Sequence, residues 1–151
     1  MKYKNIQTTV LIILRLILGY HFLFEGIDKL FSVNWSSAGF LLQTNWLLSD
    51  FFHTLANDPT LLRLVDALNI WGQILIGLGL IIGLFSTIAA WSGAFLLFIY
   101  YFAIPPFIES FLFIDKNLIE LFAFIIIAIF PTSHILGVDR IVKKIRSAKN
   151  G

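Results

Sequence analysis

The chain has 151 residues, 58% of them hydrophobic and only 13% charged, with a mean hydropathy of +0.87. Those values exclude an ordinary soluble domain and imply one integral membrane domain covering residues 1–151. The net charge of +2 is unevenly spread: Lys2 and Lys4 sit at the N-terminus, and Lys143, Lys144, Arg146 and Lys149 in the tail. No cysteine is present, so disulfides, thiolate catalysis and iron–sulfur ligation by this chain alone are removed, and a redox role needs a cofactor or a partner.

The first helix is predicted from about Ile6 to Phe31. It follows a short basic segment as a signal peptide would, but it is long and no small-residue cleavage site follows, so it is read as retained. At about 100° per residue, Arg15, Gly19, Phe22, Gly26 and Lys29 fall in one stripe with Glu25 on its shoulder, so this face looks into a bundle. Glu25 precedes Lys29 by four residues, the favourable order for an ion pair. A charge in hydrocarbon costs at least ~2.5 to 3.5 kcal/mol, so Arg15 needs acceptors from another helix, from carbonyls freed at Pro131, from a wet cavity or from a ligand. Of bracing the bundle and holding a ligand, the second is the expectation. Asp28 and Lys29 are expected at the interface.

Residues 32–58 are rich in Trp and Phe yet interrupted by Gln43, Asn45, Asp50 and His53, too polar for a lipid-exposed span and too apolar for a free loop. An extracytoplasmic interfacial or re-entrant segment capping the bundle is expected. Asp58-Pro59 supplies an N-cap and a first-turn proline, opening a second helix to about Phe85. Asp66, Asn69 and Gln73 share one of its faces, and Gly79 and Gly83 form a GxxxG pair suited to close helix packing. A short turn at Phe85-Ser86-Thr87 makes an antiparallel hairpin with a third helix, which runs to about Ile104 before Pro105-Pro106 and carries Tyr100 and Tyr101 at belt depth. A fourth starts near Asp115 with Asn117 and Glu120 on one side and breaks at Pro131, followed by a basic amphipathic tail. His134 is expected at the surface.

Positive charge at both ends places both termini in the cytoplasm, which requires an even number of spans. The fold expected is an all-α, multi-pass four-helix bundle. Alternating spans then bring Glu25, Lys29, Asp66, Asn69, Gln73, Tyr100, Tyr101, Asn117 and Glu120 into the outer half, a pocket under the aromatic cap with Arg15 as its floor. The same residues have a plainer explanation, that membrane helices have polar ends. The three histidines are scattered, so no metal site is expected, and neither paired axial histidines for haem nor nucleotide or nucleic-acid motifs appear. A quinone-like ligand needs donors to its carbonyls and an apolar slot; Arg15, Lys29, Gln73, Asn117 and the tyrosines offer the first, Phe, Ile and Leu the second.

The pattern RLILGYHFLFEGIDKLF, then WSSAGF, WGQILIGLGLIIGLF, YYFAIPPF, KNLIE and GVDR resembles the DoxX-like family, in particular the DoxD branch containing the small membrane subunit of thiosulfate:quinone oxidoreductase. Arg15, Gly19, Gly26, Lys29, Gly72, Gly79, Gly83, Asn117 and Glu120 map onto the family pattern, whereas Gln73 stands where many relatives carry an acidic residue. The resemblance implies a bacterial or archaeal cell-membrane protein in a quinone-linked or oxidative-stress redox system, either as an oxidoreductase subunit or as a non-catalytic partner or assembly factor for another protein. Thiosulfate as substrate is not implied. Three functions stay open: a quinone-binding subunit coupled to a partner, a scaffold or self-associating assembly factor, and a small-solute or proton pathway relayed by Glu25, Asp66 and Glu120.

Overall fold

A computed structural model of the chain describes residues 5–106, 113–140 and 145. Among these, every regular element is helical: α1 (Asn5–Phe31), α2 (Ala38–Leu42), α3 (Ser49–Asn57), α4 (Pro59–Ile82), α5 (Ser86–Ala103) and α6 (Lys116–Ile129). Three of them, α1, α4 and α5, are long and apolar enough to cross a membrane. α6 has 14 residues and reaches about 21 Å, short of the ~30 Å hydrocarbon core. Ile13, Ile17, Phe24, Leu68, Leu75, Phe95, Phe98 and Phe122 all lie on the outside, an apolar exterior that a soluble domain does not tolerate and a bilayer requires.

The core runs between the long helices through Leu18, Phe22, Leu80, Ala90, Leu97, Phe124 and Ile127. Phe22 and Phe124 place their ring centroids 4.5 Å apart, joining α1 to α6. Where α1 meets α4 the backbones touch: a Cβ on Gly77 would lie 2.5 Å from the Leu23 nitrogen and 2.7 Å from the Gly19 oxygen, so the seam closes only around glycine.

The GxxxG reading holds for one of its two residues. Gly79 faces Ala89 across the α4–α5 seam. Gly83 instead ends α4 in the left-handed region, φ 70°, with its N–H donating to the Gly79 oxygen at 3.0 Å. That turn stops α4 at Ile82, three residues before the expected end, because the left-handed residue closes the last helical turn on its own carbonyls.

Residues 32–58 fold as α2 and α3, with Leu41 and Phe52 buried against Ala103, Leu62, Val65 and Ile99 at one end of α4 and α5. Gln43, Asn45 and Asp50 are exposed, and His53 Nε2 lies 2.9 Å from the Thr44 oxygen, a cap contact as expected. Asp58 caps α4, accepting from Thr60 N at 2.7 Å and Leu61 N at 3.0 Å. Those two N–H groups hold its carboxyl below the usual carboxylate range.

At the opposite end, residues 131–140 fold over the α4–α5 turn. Asp139 accepts from Phe85 N at 3.0 Å and Ser86 N at 3.4 Å, and its own N–H donates to the Gly83 oxygen at 3.0 Å. His134 is exposed. Lys2, Lys4, Lys143, Lys144, Arg146 and Lys149 lie outside the described residues.

Candidate functional site

Lys29, one turn from the end of α1, is carried into the bundle by the glycine seam below it, and its side chain is only 15% exposed. α4 answers with two neutral amides spaced four apart: Nζ donates to Asn69 Oδ1 at 3.0 Å and to Gln73 Oε1 at 2.7 Å. Glu25 Oε2 lies 4.0 Å away, and the Trp35 ring centroid lies 5.2 Å from Nζ. The cation is thus held mainly by dipoles, with its carboxylate at the edge of ion-pair range, and part of its positive field is left to whatever lies beside it.

Asn69 donates its amide hydrogens onward to the Tyr100 hydroxyl. Tyr100 packs edge-on against Phe40 at 5.4 Å. A cavity of about 260 Å³ opens here, lined by Lys29, Trp35, Ser36, Ser37, Phe40, Asn69, Tyr100 and Asn117. Its roof is fastened by Asp66, which accepts from Ser37 N at 2.7 Å and from Ser37 Oγ at 2.5 Å. A second hollow of about 350 Å³ between α4 and α5 is lined by Leu75, Ile82, Phe85, Ile88 and other apolar residues with Ser92 alone as a polar group; it offers hydrophobic surface and no chemistry.

The ten residues expected at a site divide accordingly. Lys29, Asn69, Gln73 and Tyr100 form one hydrogen-bonded group, Glu25 flanks it, Asn117 lines the cavity, and Asp66 acts through Ser37. Tyr101 turns away, its hydroxyl donating to the Phe113 oxygen at 2.8 Å. Glu120 pairs with His21 Nε2 at 3.3 Å and Lys116 Nζ at 3.7 Å, outside the Lys29 group.

Arg15 is not the floor of this cavity. It lies about 21 Å along α1 from Lys29, 1% exposed, with Nη2 donating to the Leu136 oxygen at 2.7 Å. Its Nε and Nη1 have no hydrogen-bond partner among the described residues, and Asp139 is its charged neighbour. The acceptor is thus a backbone carbonyl beyond Pro131, not one that the proline frees in the helix before it.

Sequence reading passed over His21, Trp35, Ser37 and Asp139. His21 stands four before Glu25 and could have been found by that spacing. Ser37 and Trp35 carry no signal until the cap folds back onto α4.

A family model described as DoxX matches residues 10–106, from α1 through α5. No curated protein and no solved structure matches the chain. The Lys29, Asn69, Gln73 and Tyr100 cluster lies wholly inside the matched stretch, whereas Asn117, Glu120 and Asp139 lie beyond it.

Proposed function

The chain belongs to the DoxX family, and from that membership and the Lys29 cluster we propose a multi-pass membrane protein that binds a quinone-like lipophilic molecule in the capped cavity and serves a redox complex. The observation that carries the reading is a buried cation held by two neutral amides beside an aromatic-walled cavity. A cation in tight contact with a carboxylate would have most of its field cancelled; Lys29, whose nearest acceptors are two amide oxygens with Glu25 further off at 4.0 Å, keeps more of it for the oxygen of a neighbouring carbonyl. The cavity is at the small end of ligand pockets, so it takes a head group while an isoprenoid or alkyl tail lies along the apolar exterior.

In this reading α6 joins the three long helices as a fourth, shorter crossing, both termini are cytoplasmic and the cap is extracytoplasmic. The electrons come from a cofactor or a partner protein, since the chain has no cysteine for thiol or iron–sulfur chemistry of its own. A non-catalytic scaffold is the second reading, favoured by Asp66 and Asp139, whose carboxylates are spent on holding backbone in place.

The test is direct. Protein purified in mild detergent is extracted and its organic phase examined by absorbance and mass spectrometry, and a short-chain 1,4-benzoquinone is titrated into the stripped sample. A quinone recovered, and saturable binding that Lys29→Met weakens, support the reading. Saturable binding that Lys29→Met leaves unchanged refutes it.

A further inference from the structure

Two amides that line the cavity have their orientations set by charged neighbours, in opposite senses. Lysine only donates, so Asn69 must turn its oxygen to Lys29 Nζ and its NH₂ to Tyr100. The Tyr100 oxygen accepts that bond, and no acceptor among the described residues takes the Tyr100 proton. On α6, Asp115 receives Leu118 N at 2.8 Å and Asn117 Nδ2 at 2.9 Å. An ionised carboxylate only accepts, so Asn117 gives it the NH₂ and keeps its own carbonyl oxygen unspent. Tyr100 and Asn117 border the same cavity.

We infer that the cavity is polarised, a donor from Tyr100 on the α5 wall and an acceptor from Asn117 on the α6 wall, and that it selects a planar lipophilic molecule bearing a carbonyl at one edge and a hydroxyl at another. This rests on the reading of the cavity as a ligand site and places hydroxyaryl ketones above plain quinones among the molecules it takes. A plain quinone sets one of its oxygens against the Asn117 oxygen. A hydroquinone must turn one hydroxyl so that its lone pair meets Tyr100, and that proton then needs an acceptor other than Tyr100. Of ligands that face these two walls, a mixed pair of groups is matched at both, while a plain quinone is matched at Tyr100 and at Lys29 but not at Asn117, and an unmatched polar group out of water is the expensive case.

The experiment uses the full chain in detergent and three probes of equal alkyl length: a 4-hydroxyphenyl alkyl ketone, its methyl ether, which lacks the donor, and a 4-alkylphenol, which lacks the carbonyl. Calorimetric titration is run at neutral pH, where the phenol keeps its proton. The hydroxyketone is expected to bind roughly tenfold tighter than either control, the worth of one matched hydrogen bond at a desolvated site.

Asn69→Asp still receives Lys29 but now accepts from the Tyr100 hydroxyl, so that wall presents a lone pair and the alkylphenol should overtake the methyl ether. Tyr100→Phe should weaken the two ketones and leave the alkylphenol unchanged, a readout that stands even where Asn69→Asp fails to fold. Three affinities within threefold of one another, or an order unchanged in both variants, would overturn the polarised cavity while the ligand site stood. No binding by any probe or by the short-chain benzoquinone would overturn both.

Discussion

α1 carries two cations into the bundle, Arg15 near its middle and Lys29 in its last turn, and the protein treats them differently. Lys29 is met by two amide oxygens, a carboxylate at 4.0 Å, an indole face and an open cavity. Arg15 is 1% exposed, donates one hydrogen bond to a backbone carbonyl and leaves two nitrogens without a hydrogen-bond partner among the described residues. A cation with several replaceable partners beside empty space is arranged for a visitor, whereas one sealed against a main-chain oxygen ties two segments together. Of the two roles expected for Arg15, holding a ligand and bracing the bundle, we propose the brace, on the strength of its bond to the Leu136 oxygen.

The sharpest way to break this comparison is a pair of substitutions read by two assays. Lys29→Met should cut binding of a short-chain benzoquinone per folded molecule by about 100-fold, since a charge-assisted contact is worth about 1.5 to 3 kcal/mol, and should also cost about 1 to 3 kcal/mol of stability as the buried Asn69 and Gln73 oxygens lose their donor. Arg15→Met should lower stability by about 2 kcal/mol as the Leu136 carbonyl loses its donor, with binding per folded molecule unchanged. If Arg15→Met proves more stable than the parent, the cost of its unpartnered nitrogens outweighs the brace. If it abolishes binding in folded protein, the two ends are one site.

A smaller effect sharpens the picture at the Arg15 end. Gly83→Ala places a side chain on a residue at φ 70° and a Cβ 2.7 Å from the Gly137 Cα. The backbone strain alone costs about 1 to 2 kcal/mol, and residues 131–140 must shift. Asp139→Asn, which weakens the cap on Phe85 and Ser86, should cost about 1 kcal/mol. Neither should alter quinone affinity. A tenfold loss of affinity in either, measured on folded protein, would show that the ends communicate.

How much of this was legible follows the distance over which each feature is determined. Helix lengths, the Asp58-Pro59 start and the break before Pro131 are local, and the residues announce them through hydropathy, capping and the missing proline N–H. The Lys29, Asn69 and Gln73 group was legible because spacing of four on two apolar helices forces each set to one face. Ser37 meeting Asp66, Asp139 meeting the α4–α5 turn and Arg15 meeting Leu136 were not. Each joins residues at least 29 apart through a fold-back that no periodicity encodes. Gly79 and Gly83 show the same limit within one motif, since the four-residue spacing is identical whether the second glycine packs a helix or ends one.

The smallest expected effect lies at the cap end, at Asp58. Its carboxyl is fully outside the protein and is held below the usual range by the Thr60 and Leu61 N–H groups, with Arg63 contributing. A group whose pKa is depressed in the folded state stabilises that state above its unfolded value and loses the contribution as pH falls through the folded value. The contribution of Asp58 is therefore complete at neutral pH and disappears only in acid, below the ordinary aspartate range. The measurement is thermal unfolding of the empty protein against pH. The parent should lose stability on the acid side, and Asp58→Asn, which keeps an acceptor for the same N–H groups but cannot titrate, should lose less. The cavity is tied to α4 through Asp66, two turns further in, so affinity for the short-chain benzoquinone at neutral pH should be the same in both proteins. An affinity difference would mean that the start of α4 sets the position of Asn69 and Gln73. Identical acid limbs in parent and variant would remove Asp58 as an electrostatic contributor and leave the cap as a hydrogen bond alone.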